Sequence, residues 1–195
     1  LVVACELDRG LVGLLRDTIA PAWGEAFTLI EGDCLEGKRA LNAAVVEAVG
    51  GRPFRLVSNL PYGAATPLLL TLLVEYPACE SMTVTIQKEV AERITAQPHT
   101  RDYGALSVIA QRLSDVDRIA TLPPACFWPR PKVDSAMLRL ARRAPAPPED
   151  PRSLAEACAR LFANRRKQIR RALGPVLGRP ELSDIDGSMR AEALS

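Results

Sequence analysis

The sequence predicts an α/β protein: an open, mostly parallel, doubly wound sheet followed by a small helical module at the carboxyl end. Three observations carry that prediction. Short apolar runs of strand length alternate with longer segments of helical periodicity up to about residue 143. Glu6, Asp33 and Asn59 close three of these runs, and the carboxyl ends of strands are where open α/β sheets bind ligands. Charge then changes sign along the chain. Residues 151–195 hold nine Lys/Arg against five Asp/Glu, whereas the other 150 hold 16 against 18. A basic module beside a mildly acidic one suggests an anionic partner at the carboxyl end.

In chain order, 1–5 reads as a strand that ends in Glu6-Leu7-Asp8, and 11–19 as a helix with apolar residues at 11, 12, 14, 15 and 19. A second strand, 27–30, is closed by Glu31-Gly32-Asp33, and a helix is expected over 41–49. Gly50-Gly51 precedes the strand 54–58, which runs into Asn59-Leu60-Pro61-Tyr62, and an apolar helix follows over 68–74. Next come a strand at 81–86 and helices at 88–96 and 103–113. Two further strands, 118–121 and 136–140, flank the loop 123–134. That loop has no room for a crossover helix, so the last two strands are expected to make an antiparallel edge. The segment 142–151, with four prolines, reads as a linker, its core at 144–151. The expected organisation is therefore a catalytic domain, 1–143, and a helical module, 152–195, with helices at 153–164 and 167–173.

Asn59-Leu60-Pro61-Tyr62 suits attack by a planar amine. The exocyclic amine of adenine is a poor nucleophile because its lone pair is delocalised into the ring. The Asn59 side-chain oxygen and the Leu60 carbonyl can accept its two hydrogens and favour the tetrahedral nitrogen that develops as it attacks a methyl donor. The ring of Tyr62 would stack on the base, worth ~1–3 kcal/mol, and Pro61 would stiffen the turn. The same four residues also suit an ordinary strand-to-helix turn. Glu6 stands where a nucleotide-binding sheet places a carboxylate for ribose hydroxyls, and Asp33 is placed to accept from an adenine amino group, with Gly32 permitting close approach.

Other chemistries find little support. The five cysteines are scattered and form no C-x-x-C pair, and His99 is the one histidine, so a zinc site or a Ser-His-Asp or Cys-His centre is not expected. His99 reads as a surface-loop residue in Gln97-Pro98-His99-Thr100. No apolar run reaches the roughly 18 residues of a membrane span. Reduced thiols and the lack of a recognisable leader point to a cytoplasmic protein.

Taken together, the chain resembles the bacterial ribosomal RNA adenine dimethyltransferase family, of the kasugamycin-sensitivity type. The resemblance runs through Glu6-Leu7-Asp8, Gly32-Asp33, Asn59-Leu60-Pro61-Tyr62 with Thr66-Pro67-Leu68, Gln87-Lys88-Glu89-Val90-Ala91 and Tyr103-Gly104-Ala105-Leu106-Ser107-Val108. It continues through Phe127-Trp128-Pro129-Arg130-Pro131-Lys132-Val133-Asp134-Ser135-Ala136 and Phe162-Ala163-Asn164-Arg165-Arg166-Lys167. It implies a Rossmann-like, S-adenosylmethionine-dependent methyltransferase fold, acting on the N6 amine of adenines in small-subunit ribosomal RNA. It also implies a monomer without a metal. Donor contacts are implied for Glu6, Asp33, Cys34 and Asn59, and catalytic roles for Asn59, Leu60, Pro61, Tyr62 and Phe127. Phe127 would stack on a flipped adenine opposite Tyr62, although a core aromatic is the simpler reading of that residue alone.

Arg165, Arg166, Lys167, Arg170 and Arg171 would bind RNA phosphates, though such a run also suits a solvated helix face. Arg166, Lys167, Arg170 and Arg171 share one face if 167–173 is helical. The family's first strand and glycine-rich loop would precede Leu1, and a further helix would follow Ser195. The 195 residues are thus expected to be a piece of a longer protein that alone binds the donor weakly. Three other readings stand beside the first. They are a ribosome-binding relative that has lost donor binding, a macrolide-resistance type methyltransferase acting on large-subunit RNA, and, less suited to the basic tail, a DNA adenine methyltransferase.

Overall fold

The computed structural model describes residues 1–37, 39–147, 150–163, 167–169 and 188–193. The chain divides into two units, Leu1–Phe54 and Arg55–Ser195.

In the first unit, β1 (Val2–Glu6) pairs in parallel with β2 (Phe27–Glu31), from Val2 opposite Phe27 to Glu6 opposite Glu31. Between them runs α1 (Arg9–Thr18). It starts two residues earlier than the apolar pattern predicts because the Asp8 carboxylate caps it, accepting from the Gly10 N–H at 2.8 Å and the Leu11 N–H at 3.0 Å. A short helix, α2 (Ala20–Trp23), and a 3-10 turn, Gly24–Ala26, lead into β2. The helix expected over 41–49 is shorter than predicted. Leu35–Glu36 (β3) and Ala40–Leu41 (β4) form a small antiparallel hairpin, and α3 covers Ala43–Val49. The reason is Asn42, whose side-chain oxygen accepts from the Ala44 N–H at 2.9 Å and so sets the helix start after Leu41. Gly50 ends α3 in the left-handed region at φ 62°.

The second unit is built on a four-stranded sheet. Its strands are β5 (Phe54–Asn59, entering from the first unit), β6 (Cys79–Gln87), β7 (Ser114–Leu122) and β8 (Ser135–Arg142), in the order β5-β6-β8-β7. The antiparallel pairing predicted for the last two strands is present, with one difference in position. β8 lies inside the sheet, antiparallel to both β6 and β7, so β7 is the outer strand. The two registers place Ser135 opposite both Gln87 and Leu122. β7 also begins four residues earlier than expected and carries an irregularity between Arg118 and Ala120.

One face of this sheet carries the core. Met82, Val84 and Ile86 of β6 and Ala136, Leu138 and Leu140 of β8 are all buried, following the two-residue alternation of strands. Helices α4 (Ala65–Glu75), α5 (Lys88–Thr95) and α6 (Ala105–Leu113) supply Leu69, Leu72, Leu73, Ile94, Ile109 and Leu113 to it. Each such leucine or isoleucine contributes about 1.5–3 kcal/mol by leaving water.

Arg142 is the last residue of β8, a correction to its reading as part of a linker. Its guanidinium reaches back to the carboxyl end of α4. It donates to the carbonyls of Cys79 (3.0 Å), Leu72 (2.9 Å), Leu73 (3.1 Å) and Tyr76 (3.2 Å).

Asp150 caps α7 (Pro151–Ala163), accepting from the Ser153 N–H at 2.9 Å and its hydroxyl at 3.0 Å, bonds that hold its carboxyl below the usual range. An Arg152–Glu75 pair at 2.6 Å ties α7 to α4, and Phe162 meets the Tyr103 ring edge-on at 6.0 Å. Leu161, Ile169 and Ala191 form a separate small cluster with Phe162 and Met189. Lys167 is exposed at a bend rather than within a helix, and Gln168 bridges to Arg190. The rest of the predicted 167–173 helix lies outside the described residues apart from 168–169, as do Arg165, Arg166, Arg170 and Arg171.

Candidate active site

In the second unit the loops gather at one edge of the sheet. Asn59 is the final residue of β5, and the Leu60 N–H donates to the Thr85 carbonyl of β6 at 3.0 Å, fixing the end of β5 beside the end of β6. Leu60 is itself buried, so the backbone turns on an anchored residue. The Pro61 carbonyl then accepts from the Ala64 N–H at 2.9 Å and the Ala65 N–H at 3.2 Å. These bonds start α4, which has no side-chain cap.

That turn leaves the Asn59 side chain exposed. Its amide makes no hydrogen bond to any described residue. Tyr62, three residues on, is half-buried, and its hydroxyl lies 3.2 Å from the Ser135 Oγ. Ser135 is fully buried at the start of β8. It is a site-supporting residue that stands out in the sequence only as part of the longer 127–136 motif. The available signal is a small hydroxyl opening the strand ahead of the alternating Ala136, Leu138 and Leu140.

Ser135 also ends the loop that carries Phe127. The Lys88 N–H, first in α5, donates to the Asp134 carbonyl at 3.0 Å and pins that loop. A 3-10 turn, Pro124–Cys126, held by the Phe127 N–H to the Pro124 carbonyl at 3.2 Å, delivers Phe127 half-buried with extended backbone. The Tyr62–Ser135 contact thus links the Asn59–Tyr62 turn to the Phe127 loop. The site offers an unpartnered amide acceptor and an oriented phenol ring, with Phe127 carried by the loop that Ser135 ends.

In the first unit, Glu6 ends β1. Its Oε1 accepts from the N–H groups of Leu7 (2.8 Å) and Asp8 (2.9 Å), which leaves Oε2 without a partner among the described residues. Gly32, at the end of β2, donates its N–H to the Glu6 carbonyl at 2.8 Å with φ at 141°, a conformation side-chain-bearing residues rarely adopt. Asp33 is exposed. Its Oδ1 accepts from the Leu35 N–H at 2.9 Å, and its carbonyl takes a bond from the Asn42 amide at 3.1 Å. Each carboxylate is therefore held by its own loop through one oxygen; the second oxygen of Glu6 remains open as an acceptor, while the Asp33 side chain also takes a hydrogen bond from the Cys34 thiol.

Beside them lie two thiols. Burial, then Cys5 and Asp33, push the Cys34 thiol up to about 11. Burial, then Asp33 and Glu6, also raise Cys5, whose thiol donates to the Gly32 carbonyl at 3.4 Å. Both stay neutral near pH 7, so Cys34 can pack against a ligand but is no nucleophile. His99 is exposed at φ 68°, with its N–H donating to the Glu192 carbonyl at 2.8 Å. Among the described residues no group of three or more His, Cys, Asp or Glu is placed to hold a metal, and no helix is long and apolar enough to cross a membrane.

A family model described as Ribosomal RNA adenine dimethylase matches residues 1–194. The Ribosomal RNA small subunit methyltransferase A of Alcanivorax borkumensis is 39% identical over 195 residues, covering 97% of this chain and 66% of that protein. The protein of the same name from Synechocystis sp. is 40% identical over 210 residues, covering 100% of this chain and 72% of its own length. The chain thus spans about two thirds of the curated relatives it matches. Two solved structures share the fold. A dimethyladenosine transferase from Plasmodium falciparum superposes with a TM-score of 0.71 at 20% identity, over 88% of this chain and 58% of that one. The 23S rRNA methyltransferase ErmE gives 0.63 at 24% identity, over 98% and 75%. The fold is accordingly the Rossmann-like one of S-adenosylmethionine-dependent methyltransferases.

Proposed function

The chain belongs to the ribosomal RNA adenine dimethylase family, and from that membership we propose that it transfers methyl groups from S-adenosylmethionine to the N6 amine of adenines in small-subunit ribosomal RNA. The observation that carries the site assignment is the Asn59 amide, exposed and unpartnered among the described residues at a strand end, three residues before a tyrosine fixed by a buried serine.

The donor supplies an electrophilic methyl carbon on a sulfonium. The protein's part is to make adenine a nucleophile. The Asn59 oxygen and the Leu60 carbonyl accept hydrogen bonds from the amine, drawing its lone pair out of the ring; as the nitrogen–methyl bond forms, the methyl–sulfur bond breaks to leave a neutral thioether, and the nitrogen releases one proton to solvent. Tyr62 and Phe127 hold the flipped base between them. Glu6 and Asp33 would hold the donor's ribose and adenine, and Cys34 would pack beside them. We propose that it acts on ribosomal RNA in the cytoplasm, as a monomer. The curated relatives' names favour small- over large-subunit RNA.

The test is incubation of the full-length protein with labelled donor and with unmethylated small and large ribosomal subunits separately. Label in N6-methylated adenine of small-subunit RNA is expected. Label confined to large-subunit RNA, or none at all, would refute the proposal, and binding without label would identify a non-catalytic relative.

Two predictions follow from these roles. Asp33→Ala and Glu6→Gln in the full-length protein should each weaken donor binding about 10- to 100-fold by calorimetry, the range for a lost hydrogen bond to a charged group. Glutamine at position 6 can still accept from Leu7 and Asp8, so it tests charge rather than loop structure. Unchanged affinity in both variants would remove these carboxylates from the donor site.

The basic carboxyl-terminal segment is assigned to RNA phosphates. Replacing Arg166, Lys167, Arg170 and Arg171 with Gln should flatten the salt dependence of binding to ribosomal particles by up to about four contacts, each worth roughly 0.7–0.9 in slope. Methylation of a saturating short oligonucleotide should survive. An unchanged salt slope would make these residues ordinary solvated surface.

A further inference from the structure

The loop that delivers Phe127 also carries Trp128, which is 95% exposed, the most exposed large hydrophobic side chain among the described residues. Backbone at Phe127 is extended, with φ −124° and ψ 151°, and successive side chains of an extended segment point to opposite sides. Phe127 is accordingly half-buried while its neighbour stands in solvent. An indole left in water contributes nothing to the core, and its exposed flat face is available to stack on a base. Its surroundings are equally one-sided. Arg130 and Lys132 are exposed and make no ion pair with any described residue, and 123–133 contains no acidic residue. Four prolines in that stretch restrict the backbone, so little freedom is lost when a ligand binds.

We propose that Trp128, with Arg130 and Lys132, forms a second base-binding position, a stacking platform for an unpaired nucleotide adjacent to the adenine that is methylated. The inference rests on the proposed activity, since that adenine defines which nucleotide is adjacent. A flat aromatic with two exposed cations, in a loop whose first acid is the half-buried Asp134, matches single-stranded RNA: the π-face takes any base, and the cations take the flanking phosphates. The site would hold the strand in register while the target adenine turns inward.

The test uses the full-length protein with all other tryptophans changed to Phe. Without RNA, Trp128 fluorescence should be freely quenched by acrylamide; a shielded indole would overturn the proposal. Binding is then measured to a short single-stranded RNA containing the target adenine, and to two versions with an abasic site 5′ or 3′ of it. Trp128→Ala should weaken binding to the intact RNA about 5- to 150-fold, the range for loss of one stacked base. It should leave binding to one of the abasic versions unchanged, and Trp128→Tyr should retain most affinity. Equal binding of wild type and Trp128→Ala to intact RNA, or equal losses on all three RNAs, would refute the stacking site. Methyl transfer by the unsubstituted protein to the same RNA is read in parallel. Its absence counts against the proposed activity, while the binding comparison still decides the stacking site.

Discussion

Asn59→Ala in the full-length protein should lower the single-turnover rate of methyl transfer by on the order of 100- to 1,000-fold, the loss seen when one placed transition-state acceptor or donor is removed. RNA affinity should change little, because the amide is assigned to the nitrogen as it becomes tetrahedral rather than to the resting base. Stability should also hold. The Asn59 side chain is exposed and bonded to no described residue, and Leu60, Pro61 and Ala64 hold the turn through backbone bonds that alanine at position 59 leaves intact. Surface changes of this kind usually stay within ±0.5 kcal/mol. A normal rate in a normally folded variant would remove Asn59 from the chemistry.

The largest effect on folding is expected at Arg142. Its guanidinium serves four carbonyls, those of Leu72, Leu73, Tyr76 and Cys79, at 2.9–3.2 Å. Three of them close α4, whose last carbonyls have no partner within the helix. Burial pulls Arg142 below its ordinary value, partly offset by the neighbouring Cys79 thiol, which burial pushes up to about 11. Arginine nevertheless keeps its charge at neutral pH. Arg142→Leu would take this donor from the Leu72 and Leu73 carbonyls at a negative helix end, while the Tyr76 carbonyl keeps the Cys79 N–H at 3.0 Å, a loss of about 2–4 kcal/mol. The thermal midpoint should fall by roughly 5–15 °C, with a matching shift in urea. Arg142→Lys should recover only part, because one ammonium cannot span four acceptors. Unfolding midpoints unchanged in the leucine variant would show that these bonds add nothing to stability.

Much of this molecule is local and can be read along the chain. Alternating strands and helices, Glu6 at the end of β1, Asp33 after β2, and Asn59 at the end of β5 all follow from periodicity and turn chemistry within about ten residues. Where local signals competed, boundaries moved. Asp8 drew α1 two residues earlier, and Asn42 held α3 back until Ala43 while β3 and β4 took the residues before it.

What tertiary structure decided is which distant groups meet. β8 inserts between β6 and β7, so its Ser135 reaches Tyr62 across 73 residues and its Arg142 reaches α4 across 66 to 70. A serine at a strand start and an arginine before a proline-rich stretch look unremarkable in the sequence. Their partners are chosen by the apolar face of β8, which buries best between two neighbours, and no periodicity within β8 encodes which strands those are.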